Sequence, residues 1–133
     1  MKILSYNDFV NESQSPVEEV AQEFYDYLIE KWGKPGKSAF NTQIFKKFFT
    51  QSSIIYFPET EREHNAHICP VYKGYVLDFS KDFNGGLEYR ITPVNSVMDF
   101  YGKKYDIYIL GKTFEEIEKK ANTKIETIES LEV

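Results

Sequence analysis

The sequence contains one cysteine, Cys69, in 133 residues. A lone cysteine closes no internal disulfide and cannot build a thiolate metal site, so a bridge-stapled secreted scaffold is excluded and a reducing compartment is expected. Long apolar runs are missing as well. None approaches the ~18 residues of a membrane span, and Met1-Lys2-Ile3-Leu4-Ser5 lacks the apolar stretch of a secretory signal. An excess of positive charge is also absent: 16 Lys and Arg stand against 21 Asp and Glu, for a net charge of −5. Phosphate contacts need a basic surface, so neither nucleic acid nor membrane is expected as a partner. Glycine-rich phosphate loops are lacking too. Gly85-Gly86 is a lone pair with no helix pattern after it, and no cofactor is expected.

Aromatic residues are abundant, with eleven Phe and ten Tyr, 17% of the chain together with the one Trp. That load argues against disorder and for a core with wide side chains. At this length one domain forms and buries roughly two thirds of its unfolded surface without staples. The reading is residues 1–14 as a leader or short helix and residues 15–133 as a single α+β domain.

Ser15 as cap, Pro16 at the first helical position and Glu18-Glu19 in the first turn open a helix. Val17, Val20, Ala21, Phe24, Leu28 and Trp32 continue it at helical spacing to Gly33. A second helix is expected from about Ala39 to Thr50, with Ser38 as cap. Ile54 to Phe57 reads as a strand ended by Pro58, and Glu59 to Asn65 as a charged loop. Two strands joined at Lys73-Gly74 follow, then a turn at Phe83-Asn84-Gly85-Gly86 and a strand over Leu87 to Ile91. A helical turn is expected within Pro93 to Tyr101. Lys104 to Leu110 alternates like a half-buried strand. Thr113 with Glu116 forms a capping box for a last helix. The order predicts two N-terminal helices packed on a mostly antiparallel sheet, with a further helix near the C-terminus.

The residues with most chemical content lie on the central hairpin. His67 opens its first strand and Asp78 closes its second, so antiparallel pairing brings them side by side. A base histidine needs such a carboxylate to fix its tautomer and stabilise its imidazolium. Two residues are candidate nucleophiles. Ser38 stands at a helix start, where amides and dipole stabilise an oxyanion, although a serine there is also an ordinary cap. Cys69 shares the face of His67, but two residues along a strand separate them by roughly 6.5–7 Å, too far for direct proton transfer, and a buried core thiol is the plainer reading. Glu61, Glu63, His64 and His67 have usable metal-ligand spacings without further ligands elsewhere; a charged loop explains them, and no metal is expected. Tyr72, Tyr75, Tyr89, Tyr101, Tyr105 and Tyr108 offer either a tyrosine-rich interface or core and strand positions.

A helix pair followed by His67-Ile68-Cys69-Pro70-Val71-Tyr72-Lys73-Gly74-Tyr75-Val76-Leu77-Asp78-Phe79-Ser80 resembles the papain-like and transglutaminase-like cysteine hydrolases, over about residues 36–110. The resemblance implies a histidine and an acid on neighbouring strands, matched by His67 and Asp78, and a nucleophilic cysteine opening the second helix. Lys37-Ser38-Ala39-Phe40-Asn41 has no cysteine there. The resemblance therefore implies a fold kept and a chemistry lost; the alternative is an active hydrolase or acyltransferase using His67 and Asp78 with Ser38 or Cys69. A plain interaction domain without catalytic ancestry is the third reading.

The start, Met1 to Glu12, is similar to the leaders of internal head proteins of tailed bacteriophages, with Val10-Asn11-Glu12 matching the triplet after which a prohead protease cuts. That resemblance implies a virion cargo or host-takeover factor, a capsid, scaffold or host protein as partner, and the host cytoplasm or virion interior as location.

Overall fold

The computed structural model describes residues 16–125. The leader, the Ser15 cap and the last eight residues of the tail lie outside the described residues. The order is α1 (Val17–Trp32), α2 (Ser38–Phe48), β1 (Ser53–Phe57), β2 (His67–Tyr72), β3 (Tyr75–Asp78), β4 (Arg90–Pro93), a 3₁₀ turn (Val94–Ser96) running into α3 (Val97–Tyr101), then β5 (Ile109–Gly111) and α4 (Phe114–Ala121). The strands form one antiparallel sheet in the order β4-β3-β2-β1-β5. The α+β class, two N-terminal helices and a last helix near the C-terminus are as expected. No helix among the described residues is long and apolar enough to cross a membrane.

Helix α1 buries Val20, Ala21, Phe24 and Leu28, one stripe at helical spacing. It stops at Gly33, which takes φ 81 and donates its amide to the Ile29 carbonyl, a left-handed cap that glycine adopts without strain. Helix α2 packs Phe40, Ile44 and Phe45 beside that stripe. The hairpin β2–β3 turns at Lys73 (φ 50) and Gly74 (φ 83) between the paired Tyr72 and Tyr75. Two consecutive positive φ values define a type I′ turn, whose twist matches the strands it joins.

Strand alternation gives the sheet two buried faces. One carries Ile54, Tyr56, Ile68, Tyr72 and Leu77 against helices α1, α2 and α4. The other carries Ile55, Phe57, Cys69, Val71 and Val76 against Phe83, α3 residues Val97 and Tyr101, and Tyr105.

Several local expectations are corrected. Helix α2 starts at Ser38 rather than after it, with Lys37 at the cap position, and the Ser38 hydroxyl accepts from the Ile68 amide. Leu87 to Tyr89 is not strand: Gly85 (φ 66) and Gly86 (φ 85) prolong the turn, Asn84 Oδ1 accepts from the Gly86 amide, and pairing begins only at Arg90. Of the alternating run Lys104 to Leu110, only Ile109 and Leu110 join a strand. The Lys104 and Tyr105 amides both donate to the Tyr101 carbonyl, which curls the chain back, and Ile107 is exposed. The capping box is shifted: Thr113 Oγ1 accepts from the Glu116 amide, but Glu116 returns to the amide of Lys112, not of Thr113.

The β2–β3 ladder is short. It pairs only Val71 with Val76 and Tyr72 with Tyr75. Beyond it, the start of α2 supplies partners to β2: Ser38 Oγ accepts from the Ile68 amide at 3.4 Å, and the Thr42 hydroxyl lies 3.2 Å from the Ile68 carbonyl. The Ser38 hydroxyl thus meets a backbone amide that a continued strand pair would otherwise occupy, while Thr42 shares its single hydroxyl proton between the Ser38 carbonyl of its own helix, at 2.8 Å, and the Ile68 carbonyl.

Candidate functional site

Extending the hairpin register past its last pair sets Cys69 opposite Asp78, with His67 two residues further on the same face. All three are buried, at 1%, 1% and 4% exposure. His67 Nε2 lies 2.7 Å from Asp78 Oδ2: the two side chains meet, although diagonally across the register rather than as a directly opposed pair. It also lies 3.3 Å from Cys69 Sγ. The expectation that Cys69 is out of reach is therefore corrected. Strand rise sets the spacing of Cα atoms, but an imidazole is long enough to lean along the strand and close the gap at its tip.

The Asp78 carboxylate is the centre of the cluster. Oδ2 accepts from the Tyr101 hydroxyl at 2.5 Å, and Oδ1 accepts from the Ser80 amide at 2.9 Å. Burial alone would push this carboxyl up. The charge and hydrogen bond of His67, with the Tyr101 and Ser80 donors, outweigh burial and hold it below its usual value. The Cys69 thiol is driven well above its ordinary value, first by burial and then by the charge of Asp78 and a hydrogen bond to it. The Tyr101 phenol is likewise pushed far up by burial and by the neighbouring Cys69 and Asp78. At neutral pH the cluster thus contains one stable carboxylate, a protonated thiol and a protonated phenol.

Aromatic rings wall the histidine. Its centroid is 4.3 Å from Phe83, 5.9 Å from Tyr101, 6.2 Å from Phe57 and 6.5 Å from Tyr105. Tyr105 donates to the Asn65 carbonyl at 2.7 Å, tying the segment before β2 over the ring. Three of the six tyrosines assigned to an interface or core, Tyr72, Tyr101 and Tyr105, are buried, whereas Tyr75 and Tyr108 are exposed. Tyr101 and Tyr105 are the site residues that sequence reasoning missed. Tyr101 follows Val97 by one helical turn, and that spacing was the available signal that it faces inward.

His67 also lines a cleft of about 560 Å³ at the sheet's end, with Ser38, Ala39, Lys37, Glu63, Asp82 and Lys104 among its other walls. Lys104 pairs with Glu63 at 3.2 Å; the Lys104 hydrogen bond, with the Asn65 amide, holds the Glu63 carboxyl below its usual value. The rim is therefore polar and of mixed charge, over an aromatic and histidine floor.

The four site candidates do not converge as one set. His67, Asp78 and Cys69 meet on one sheet face. Ser38 stands at the cleft wall with its hydroxyl against the Ile68 amide, and among the described residues no hydrogen bond joins it to His67. In a relay the acid and the nucleophile occupy opposite nitrogens of the ring. Here the carboxylate and the thiol both approach Nε2. A ring that donates Nε2–H to Asp78 has no lone pair on that atom to accept the thiol proton. The loop ligands Glu61, Glu63 and His64 are not gathered with His67, whose ring turns inward instead.

Comparison with family models, curated proteins and solved structures finds no match to this chain.

Proposed function

We propose that the protein acts by binding rather than by covalent catalysis, presenting the polar cleft beside His67 to a protein partner. The observation that supports this reading is the sharing of His67 Nε2 by Asp78 and Cys69 within a buried cluster, around a thiol that burial keeps protonated. Reactive cysteines are exposed and electropositively placed; Cys69 is neither. Ser38 likewise has its hydroxyl on the β2 backbone. On this reading the His67–Asp78 pair fixes the floor of the cleft, and the papain- or transglutaminase-like resemblance concerns the frame alone. The leader resemblance of Met1 to Glu12 adds the setting: an accessory protein of a tailed bacteriophage, carried in the virion or directed at a host factor.

A hydrolase or acyltransferase is the second reading, favoured by the 3.3 Å approach of Cys69 Sγ to His67. Intact-mass analysis after iodoacetamide and fluorophosphonate treatment separates the two. The binding reading expects no adduct on the native chain, and a single iodoacetamide adduct, at Cys69, once the chain is denatured. Stoichiometric labelling of the native chain that His67→Ala abolishes would refute it.

A further inference from the structure

We infer that His67, Cys69 and Asp78 form a binding site for a zinc-class divalent transition-metal ion. Their ligand atoms, Nε2, Sγ and a carboxylate oxygen, all lie within 4.8 Å of one another, and all three residues are buried. Among the described residues this is the one group of three such donors gathered so closely. The inference goes beyond the cleft reading and does not depend on it.

The geometry carries the inference. Around a tetrahedral zinc, nitrogen and oxygen ligands bind at about 2.0 Å and sulfur at about 2.3 Å. Those bond lengths set ligand atoms apart by about 3.3 Å for nitrogen to oxygen and about 3.5 Å for nitrogen to sulfur. The Cys69–His67 separation of 3.3 Å is already near that value, and the His67–Asp78 separation of 2.7 Å must open by about half an ångström. The convergence of acid and thiol on the same ring nitrogen is unsuited to a relay, but it is what a shared metal needs: three donors aimed at one point.

The donor chemistry agrees. An imidazole, a thiol and a carboxylate suit zinc and its neighbours, whereas magnesium and calcium prefer all-oxygen sites. The surroundings resemble a metal's outer shell. Tyr101 and Ser80 fix the carboxylate by hydrogen bonds, and aromatic rings fix the imidazole plane. Access runs through the cleft that His67 lines. Binding replaces protons with the metal: zinc enters, the Cys69 thiol proton leaves to solvent, the His67 ring gives up Nε2–H and carries its single proton on Nδ1 so that the Nε2 lone pair faces the metal, and Asp78 exchanges the His67 hydrogen bond for a metal bond.

Cobalt(II) is the direct probe. The full-length chain, freed of tags and chelator-treated, is titrated with cobalt(II) and read by absorption. One equivalent should produce a near-ultraviolet thiolate-to-cobalt band and the intense visible bands of a tetrahedral site, and zinc should displace both. Cys69→Ser should remove the thiolate band, while His64→Ala in the outer loop should leave it unchanged. Tyr101→Phe should weaken zinc binding by roughly 10–100-fold, as outer-shell losses do. The wild-type titration stands whether or not the variants fold. No thiolate band on the folded wild-type chain, or bands that persist in Cys69→Ser, would overturn the assignment.

Discussion

Replacing Asp78 with alanine asks how dry and how mutually satisfied the buried cluster is. The carboxylate accepts from Tyr101 at 2.5 Å, from His67 at 2.7 Å and from the Ser80 amide at 2.9 Å, with the residue 1% exposed. Truncation leaves three buried donors without an acceptor. Each costs about 1–3 kcal/mol in isolation, but the losses are not additive, because one relaxation or one water serves several groups. The expected loss is therefore about 3–5 kcal/mol, the range for removing one partner of a buried ion pair. Against a typical total of about 5–15 kcal/mol, that is a large share. Asp78→Asn keeps the shape and the acceptor oxygen, and should lose less than half as much. Guanidinium unfolding of the full chain, followed by far-ultraviolet circular dichroism, measures both. A loss below about 1 kcal/mol in Asp78→Ala, with an unchanged denaturant slope, would refute the reasoning, since donors left unpaired in a dry core cannot cost so little.

The same carboxylate predicts an acid limb. Its native pKa is depressed, so its stabilisation is fully present above the unfolded value of about 3.9 and fades as pH falls through the native one. The gap between wild type and Asp78→Asn should therefore be widest near neutrality and close on acidification below about pH 4. Gly74→Ala places a Cβ at φ 83 in the type I′ turn and should cost about 1–2 kcal/mol, seen as a lower guanidinium midpoint. Thr113→Ala removes the hydroxyl that accepts from the Glu116 amide and should cost about 1 kcal/mol. Hydrogen exchange should accelerate at the first amides of α4 in that variant, and unchanged protection there would sink the cap assignment.

Legibility in the sequence varied with the range of the interaction that decided each element. Helix α1 was readable because its stripe and the Gly33 stop are encoded within its own residues. The hairpin was readable for the same reason: Lys73-Gly74 sits between two β-rich runs. Lys104 to Leu110 misled because its alternation is genuine but unused; Tyr105 is drawn to the Asn65 carbonyl, a partner 40 residues away. Ser38 was readable as a helix-start residue, yet its hydroxyl went to Ile68, 30 residues on, rather than to its own helix. At the site, hairpin register placed His67 and Asp78 on one face but set Cys69, not His67, opposite Asp78. The reach of His67 to both did not follow from it, because Cα spacing says nothing about where an imidazole tip leans. Tyr101 was half legible: its spacing from Val97 marks an inward side chain, but its bond to Asp78, 23 residues away, depends on α3 folding back over the sheet.

The short β2–β3 ladder has a consequence for how the molecule changes without losing its fold. The hydroxyls of Ser38 and Thr42 tie α2 to the strand that carries His67 and Cys69, and the same helix start walls the cleft. Anything that presses on the mouth of the cleft therefore reaches β2 through these side-chain contacts on one edge, while the β1 ladder holds its other edge from Val71 to His67 and the β3–β4 ladder holds Asp78 against Arg90. The polar cluster thus sits where β2 and β3 part: each strand keeps its outer partner, and side chains rather than backbone bonds span the gap between them.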